Sequence, residues 1–144
     1  MHDSPITETV FGYGHENIQA THRATLEFTK DTHVSKNGDC ILVVSANKAP
    51  IDLSSAFKEN LQKPHAKLTI TIEADDIKEQ IQAQGSPHLT LTHPREMVIR
   101  KSDYASDRTL AVHADKAAKD LSQALVARLK NPKQKVKITL TVHS

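Results

Sequence analysis

The sequence predicts an α+β domain made of two tandem copies of a strand-strand-strand-helix-strand unit. A pseudo-two-fold axis relates the copies, and a mostly antiparallel sheet system is covered by two helices. Three observations predict this. Positions 46–72 align without a gap on positions 114–140 with 12 of 27 residues identical, including Lys48/Lys116, Asp52/Asp120, Leu53/Leu121 and Pro64/Pro132. Upstream segments align at a shift of 71: Glu8 on Glu79, Gly14 on Gly85, His22 on His93, Lys30 on Lys101. The shift falls to 68 because the loop after Lys30 is three residues longer than the loop after Lys101. Thirdly, both copies carry the same apolar spacings. The copies run over about 8–73 and 79–142, within one domain of residues 1–144.

Each element has a local reason. Val10 and Ile81 open extended runs that Gly14 and Gly85 end as turns. Leu26-Glu27-Phe28 alternates apolar and polar residues, as a half-buried strand does. In the second copy Leu89-Thr90-Leu91 alternates too, and Met97-Val98-Ile99 is apolar throughout. Cys40–Val44 and Thr109–Val112, valine-containing and free of Gly and Pro, read as central strands. A helix then follows in each copy, with Leu53, Ala56, Phe57 and Leu61 on one face, and Leu121, Ala124, Leu125 and Leu129 on the other copy's equivalent. Asn47 and Asp115 are placed to cap these helices. Pro50 suits a first turn, and Pro64 and Pro132 stop the helices. Leu68–Ile72 and Val136–Val142 alternate as last strands.

Composition limits the function classes. The chain is 38% hydrophobic and 25% charged, ordinary for a globular protein. No apolar run approaches the ~20 residues that span a bilayer, and the N-terminal residues lack signal-peptide architecture, so no membrane partner is expected. The single cysteine, Cys40, fits a reducing cytoplasm and reads as a small buried hydrophobe. Aromatic content of 3% with no Trp weighs against a stacking platform for single strands. Net charge is +2, divided as −3 over residues 1–78 and +5 over 79–144. If each half forms its own face, one face is acidic and the other is basic, suited to an anionic partner.

Three groups of residues can carry chemistry. His22 and His93 coincide in the repeat, each after a Thr. They read either as turn-stabilising residues or as acid–base or substrate-orienting groups. A metal on His15 and His22 would need carboxylate help, since no histidine spacing matches a zinc pattern, and no motif names a cofactor. The second group is Arg100, Lys101, Asp103 and Arg108, in a hairpin whose counterpart in the first copy lacks both arginines. Guanidinium forks suit phosphate or carboxylate, whereas Asp103 or Asp107 could equally salt-bridge them. The third is Lys48 and Lys116 at the predicted helix starts, where either an anion or Asp52 and Asp120, four residues on, would balance them.

Several strings occur together: Gly14 through His22 to Lys30, Gly38-Asp-Cys-Ile41, Gly85 through His93 to Pro94, Arg100-Lys-Ser-Asp-Tyr104, Asp107-Arg-Thr-Leu110 and Ala114-Asp-Lys-Ala-Ala118. This combination, spread over nearly the whole chain, resembles a small conserved archaeal family known only as a domain of unknown function (number three-seven-one). The resemblance implies a compact, stand-alone, cytoplasmic archaeal protein, and it supplies no activity, cofactor or catalytic residue.

The leading functional expectation is a protein that binds, or acts on, a small anionic, phosphorylated ligand. Arg100, Lys101 and Arg108 would hold the anion, with His93 and His22 moving a proton or orienting the substrate. Whether this makes it an enzyme the motifs leave open. A second expectation is an RNA-binding or RNA-associated protein using Lys130, Lys133, Lys135 and Lys137. A third is a structural protein that homodimerises through a sheet edge or opposed charges.

Overall fold

A computed structural model describes residues 4–144; Met1, His2 and Asp3, part of the segment read for a signal peptide, lie outside the described residues. Eight strands and two helices follow in the order β1 (Ile6–Tyr13), β2 (Thr25–Thr29), β3 (Ile41–Val43), α1 (Ser55–Leu61), β4 (Lys67–Ala74), β5 (Ile77–Gln84), β6 (Glu96–Arg100), β7 (Thr109–Ala111), α2 (Gln123–Leu129) and β8 (Lys135–His143). A 3-10 turn precedes each helix, over Pro50–Asp52 and Ala118–Asp120. The architecture is α+β and mostly antiparallel. Leu89–Leu91 is the exception among the expected strands: Leu89 and Leu91 are buried, but the segment is a loop. Their apolar side chains plug the core without a ladder, which alternation alone cannot distinguish from a strand.

The strands form two four-stranded sheets, ordered β1-β8-β4-β5 and β3-β2-β6-β7. Both sheets contain strands of both halves, alternating in the first and side by side in the second, where β3-β2 of one half meets β6-β7 of the other, so the acidic and basic halves do not form separate faces. In the first sheet β4 and β8 lie side by side, with Thr71 opposite its sequence equivalent Thr139. In the second, β2 and β6 lie side by side, with Glu27 opposite its equivalent Val98. The segments expected to be central, β3 and β7, are instead outer strands that pair in parallel with β2 and β6.

Two backbone bridges tie the sheets together. Tyr13 N–H donates to Val44 O at 2.8 Å and Val44 N–H donates back at 2.9 Å; Gln84 and Val112 make the same exchange at 2.8 and 2.9 Å. The eight strands thus close into a ring, which shortens the open edge available to a second copy. Its interior holds Phe28, Leu26, Leu68, Ile70, Ile72, Ile81 and Met97, all fully buried.

Asn47 and Asp115 serve this closure and do not cap helices. Asn47 Oδ1 accepts from Phe11 N–H at 2.9 Å, and Asp115 Oδ1 accepts from Gln82 N–H at 3.0 Å. The helix caps come seven residues later, where Ser54 Oγ accepts from Phe57 N–H and Ser122 Oγ from Leu125 N–H, both at 3.2 Å. Each helix buries only two large side chains, Phe57 and Leu61 or Leu125 and Leu129. Burying such a side chain is worth about 1.5–3 kcal/mol, which holds so short a helix in place. Gly14 and Gly85 are needed for close approach, since a Cβ there would collide with Leu129 O or Leu61 O at the end of a helix.

Candidate functional site

The outward face of the second sheet differs most between the copies. On β2 and β6, Leu26, Phe28, Met97 and Ile99 point into the core, and Thr25, Glu27, Thr29, Glu96, Val98 and Arg100 alternate with them. Alternation would leave Glu27 in water, yet it is only 3% exposed, and Thr29 and Thr109 on the same layer are buried. Every position here is asymmetric: Glu27 aligns with Val98, Thr25 with Glu96, Thr29 with Arg100 and Cys40 with Arg108.

Glu27 is the centre of the group. Its Oε1 accepts from the Cys40 thiol at 3.7 Å, and its buried Oε2 has no hydrogen-bond partner among the described residues. Burial, followed by the nearby Glu96 carboxylate, pushes its pKa up to about 7, partly opposed by Arg108. Near pH 7 the Glu27 carboxyl is therefore about half protonated. Burial and Glu27 also push the Cys40 thiol up to about 11, so it stays protonated and donates. Cys40 is half-buried and polar in its bonding, more than the small hydrophobe expected.

Glu96 links this centre to the surface. Its Oε2 accepts from Arg108 Nη1 at 3.4 Å and lies 3.6 Å from His93 Nε2. His93 Nδ1 accepts from the backbone N–H groups of Glu96 (3.0 Å) and Arg95 (3.2 Å). That geometry assigns its ring proton to Nε2, facing Glu96. His22 Nδ1 likewise accepts from Ala24 and Thr25 N–H, both at 3.1 Å. The two histidines cap equivalent turns at opposite ends of the β2–β6 ladder. Four residue steps of strand, ~13 Å, separate their rows, so the structure does not bring them together.

Arg100 and Arg108 are brought together. Arg100 Nε donates to Thr109 Oγ1 at 2.9 Å, Nη2 donates to Ser106 Oγ at 3.4 Å, and the guanidinium lies 5.0 Å from the centre of the Tyr104 ring. Burial, then repulsion from Arg108, lowers its pKa. Among the described residues no carboxylate makes an ion pair with Arg100. Among the described residues neither Asp103 nor Asp107 salt-bridges an arginine: Arg108 reaches to Glu96, and Arg100 turns to Thr109 and Ser106. Asp103 instead lines a cleft of about 320 Å³ with His65, His88 and His113.

The lysines lie elsewhere. Lys101 pairs with Asp120 at 2.7 Å, mirrored by Lys30 with Asp52 at 2.6 Å. Lys48 pairs with Glu8 at 2.8 Å and Lys116 with Glu79 at 3.2 Å. Asp52 and Asp120 therefore do not neutralise Lys48 and Lys116. The 3-10 turns bend each lysine towards the neighbouring strand, and each aspartate is taken by the lysine ending β2 or β6. Since both copies make both pairs, these lysines read as structural ties.

Glu27 and Glu96 were not among the residues singled out from sequence. A signal was present: an acidic residue aligned with Val98 inside an apolar strand. Among the described residues no three His, Cys, Asp or Glu side chains gather so as to hold a metal ion, and no helix is long and apolar enough to cross a membrane.

Comparison with known sequences gives two findings. A family model described as "Domain of unknown function (DUF371)" matches residues 10–143. The chain is 43% identical over 121 residues to Uncharacterized protein MJ0206 of the archaeon Methanocaldococcus jannaschii, covering 84% of this chain and 89% of that protein.

Proposed function

This chain belongs to the family described as domain of unknown function (DUF371), and from that starting point we propose that it binds a small anionic, phosphorylated ligand on the outward face of the second sheet. The observation that carries the proposal is the pairing of Arg100 with Arg108. Among the described residues the two neighbouring guanidiniums have one ion-pair partner, Glu96, and the Arg100 guanidinium hydrogen-bonds to the hydroxyls of Thr109 and Ser106. An anion between them would supply the missing charge, and the planar forks suit a phosphate. Glu27, buried behind the arginines, titrates near neutral pH. Arg108 lowers the Glu27 pKa, so drawing Arg108 onto the ligand raises the proton affinity of Glu27. Binding is therefore coupled to proton uptake near neutral pH. His93 orients Glu96 through its Nε2 proton and keeps Nδ1 on the backbone.

The test is a thermal-shift screen with inorganic phosphate, pyrophosphate and simple phosphate monoesters. At least one should raise the melting temperature of the wild type, and Arg100→Ala and Arg108→Ala should abolish the rise. Equal shifts in wild type and both variants would refute the site.

A further inference from the structure

The outward face of the first sheet is a separate surface. The alternating exposure of β1, β4, β5 and β8 shows that one side of this sheet is open to solvent. It carries four lysines, Lys67, Lys78, Lys135 and Lys137, against one carboxylate, Glu73, which pairs with Lys78 at 3.4 Å. The centre of the face is polar, with Thr9, Thr139 and Thr71 in one row.

At one corner stand two of the chain's five aromatic rings. Phe11 is 37% exposed and Tyr13 is 43% exposed, side by side on β1. Phe11 faces Lys137 and Tyr13 faces Lys135 across the ladder, and Lys135 Nζ lies 4.8 Å from the centre of the Phe11 ring. The fold does not require these rings. At the equivalent positions of β5 the chain has Gln82 and Gln84, and the same strand forms. Among the described residues Lys135 and Lys137 make no ion pair, and two exposed rings next to such cations, with no further large apolar side chain exposed on this face, fit neither a membrane nor an apolar protein partner. They fit a polyanion with flat aromatic faces.

We propose that Phe11, Tyr13, Lys135 and Lys137 bind single-stranded nucleic acid, with a base stacked on each ring and the adjoining phosphates on the lysines. Residues i and i+2 of a strand are ~6.8 Å apart, so each ring can take its own base. The low aromatic content limits the platform to two bases. It does not remove the platform, because both rings are on the surface. This site is independent of the arginine site on the other sheet.

The test is fluorescence anisotropy with labelled ten-nucleotide oligo(U) and oligo(dT), repeated over rising salt. Both strands should bind at low salt and weaken as salt rises. Phe11→Ala/Tyr13→Ala, and the bulk-preserving Phe11→Leu/Tyr13→Leu, should each weaken binding at least tenfold while retaining the wild-type circular dichroism spectrum. Lys135→Gln/Lys137→Gln should weaken binding and flatten its salt dependence, and Gln82→Ala/Gln84→Ala should leave it unchanged. No binding of either strand at low salt would overturn the proposal. So would wild-type affinity in the leucine pair, or a duplex of the same length binding as tightly as the single strand.

Discussion

Glu27 stands opposite Val98 at the centre of the β2–β6 ladder, and the two occupy equivalent positions in the two copies. On the other sheet the corresponding pair is Thr71 and Thr139, identical residues. The symmetry is thus kept where β4 meets β8 and broken where β2 meets β6. A buried carboxyl in place of an aliphatic side chain opposes folding whenever it is ionised.

The pH dependence of stability follows from Glu27. Its folded pKa of about 7 lies above the ordinary value of 4.5. Folding therefore favours the protonated form. Its contribution is fully present below pH 4.5 and is lost as pH rises through 7. The shift corresponds to about 3 kcal/mol. Urea unfolding should show Glu27→Gln gaining on the wild type between pH 5 and pH 8 by an amount of this order. Glu8, Asp52 and Asp120, whose pKa values are lowered, act in the opposite sense, losing stability as pH falls through the acid range, outside this window.

The thiol of Cys40 should react slowly. Its pKa of about 11 leaves little thiolate at pH 8. Ellman's reagent should modify the native protein much more slowly than the urea-unfolded chain. Glu27→Gln, which removes the neighbouring negative charge, should speed the native reaction.

Closure of the ring depends on two side chains. Asn47→Ala and Asp115→Ala should each cost about 1–2 kcal/mol, because each leaves a strand N–H without its acceptor. Hydrogen exchange should rise at the Phe11 or Gln82 amide. Ser54→Ala should cost about 1 kcal/mol and raise exchange at Phe57 instead.

Gly14 and Gly85 should not accept alanine. Each Cβ would meet a helix-end carbonyl that cannot move without unseating α2 or α1. Overpacking of this kind costs about 1–3 kcal/mol, so both variants should melt well below the wild type in a calorimetric scan.

Much of this fold was legible in the sequence because its signals are local. Alternation in Leu68–Ile72 and Val136–Val142, the apolar spacing around Phe57 and Leu125, and the aligned copies are all patterns of neighbouring residues. The interleaving of the halves was not legible, since aligned copies look the same whether β8 pairs within its own half or with β1 and β4. Nor was the burial of Glu27: Leu26-Glu27-Phe28 reads as a half-exposed strand, and only the surrounding chain, including Cys40 and Arg108, covers it. Lys48 illustrates the same limit. Its i+4 neighbour Asp52 looks like its partner, but a 3-10 turn intervenes and Glu8 takes the charge. Of the site, the arginines were visible as a difference between the copies, whereas the carboxyl pair behind them required the ladder register.

The most direct test of the anion site is isothermal titration of pyrophosphate into the wild type at pH 7 in two buffers of different ionisation enthalpy. Saturable binding, an observed heat that depends on the buffer through proton uptake, and loss of both in Arg100→Ala are the predicted result. Binding that persists unchanged in Arg100→Ala, or no saturable heat in the wild type, would contradict it.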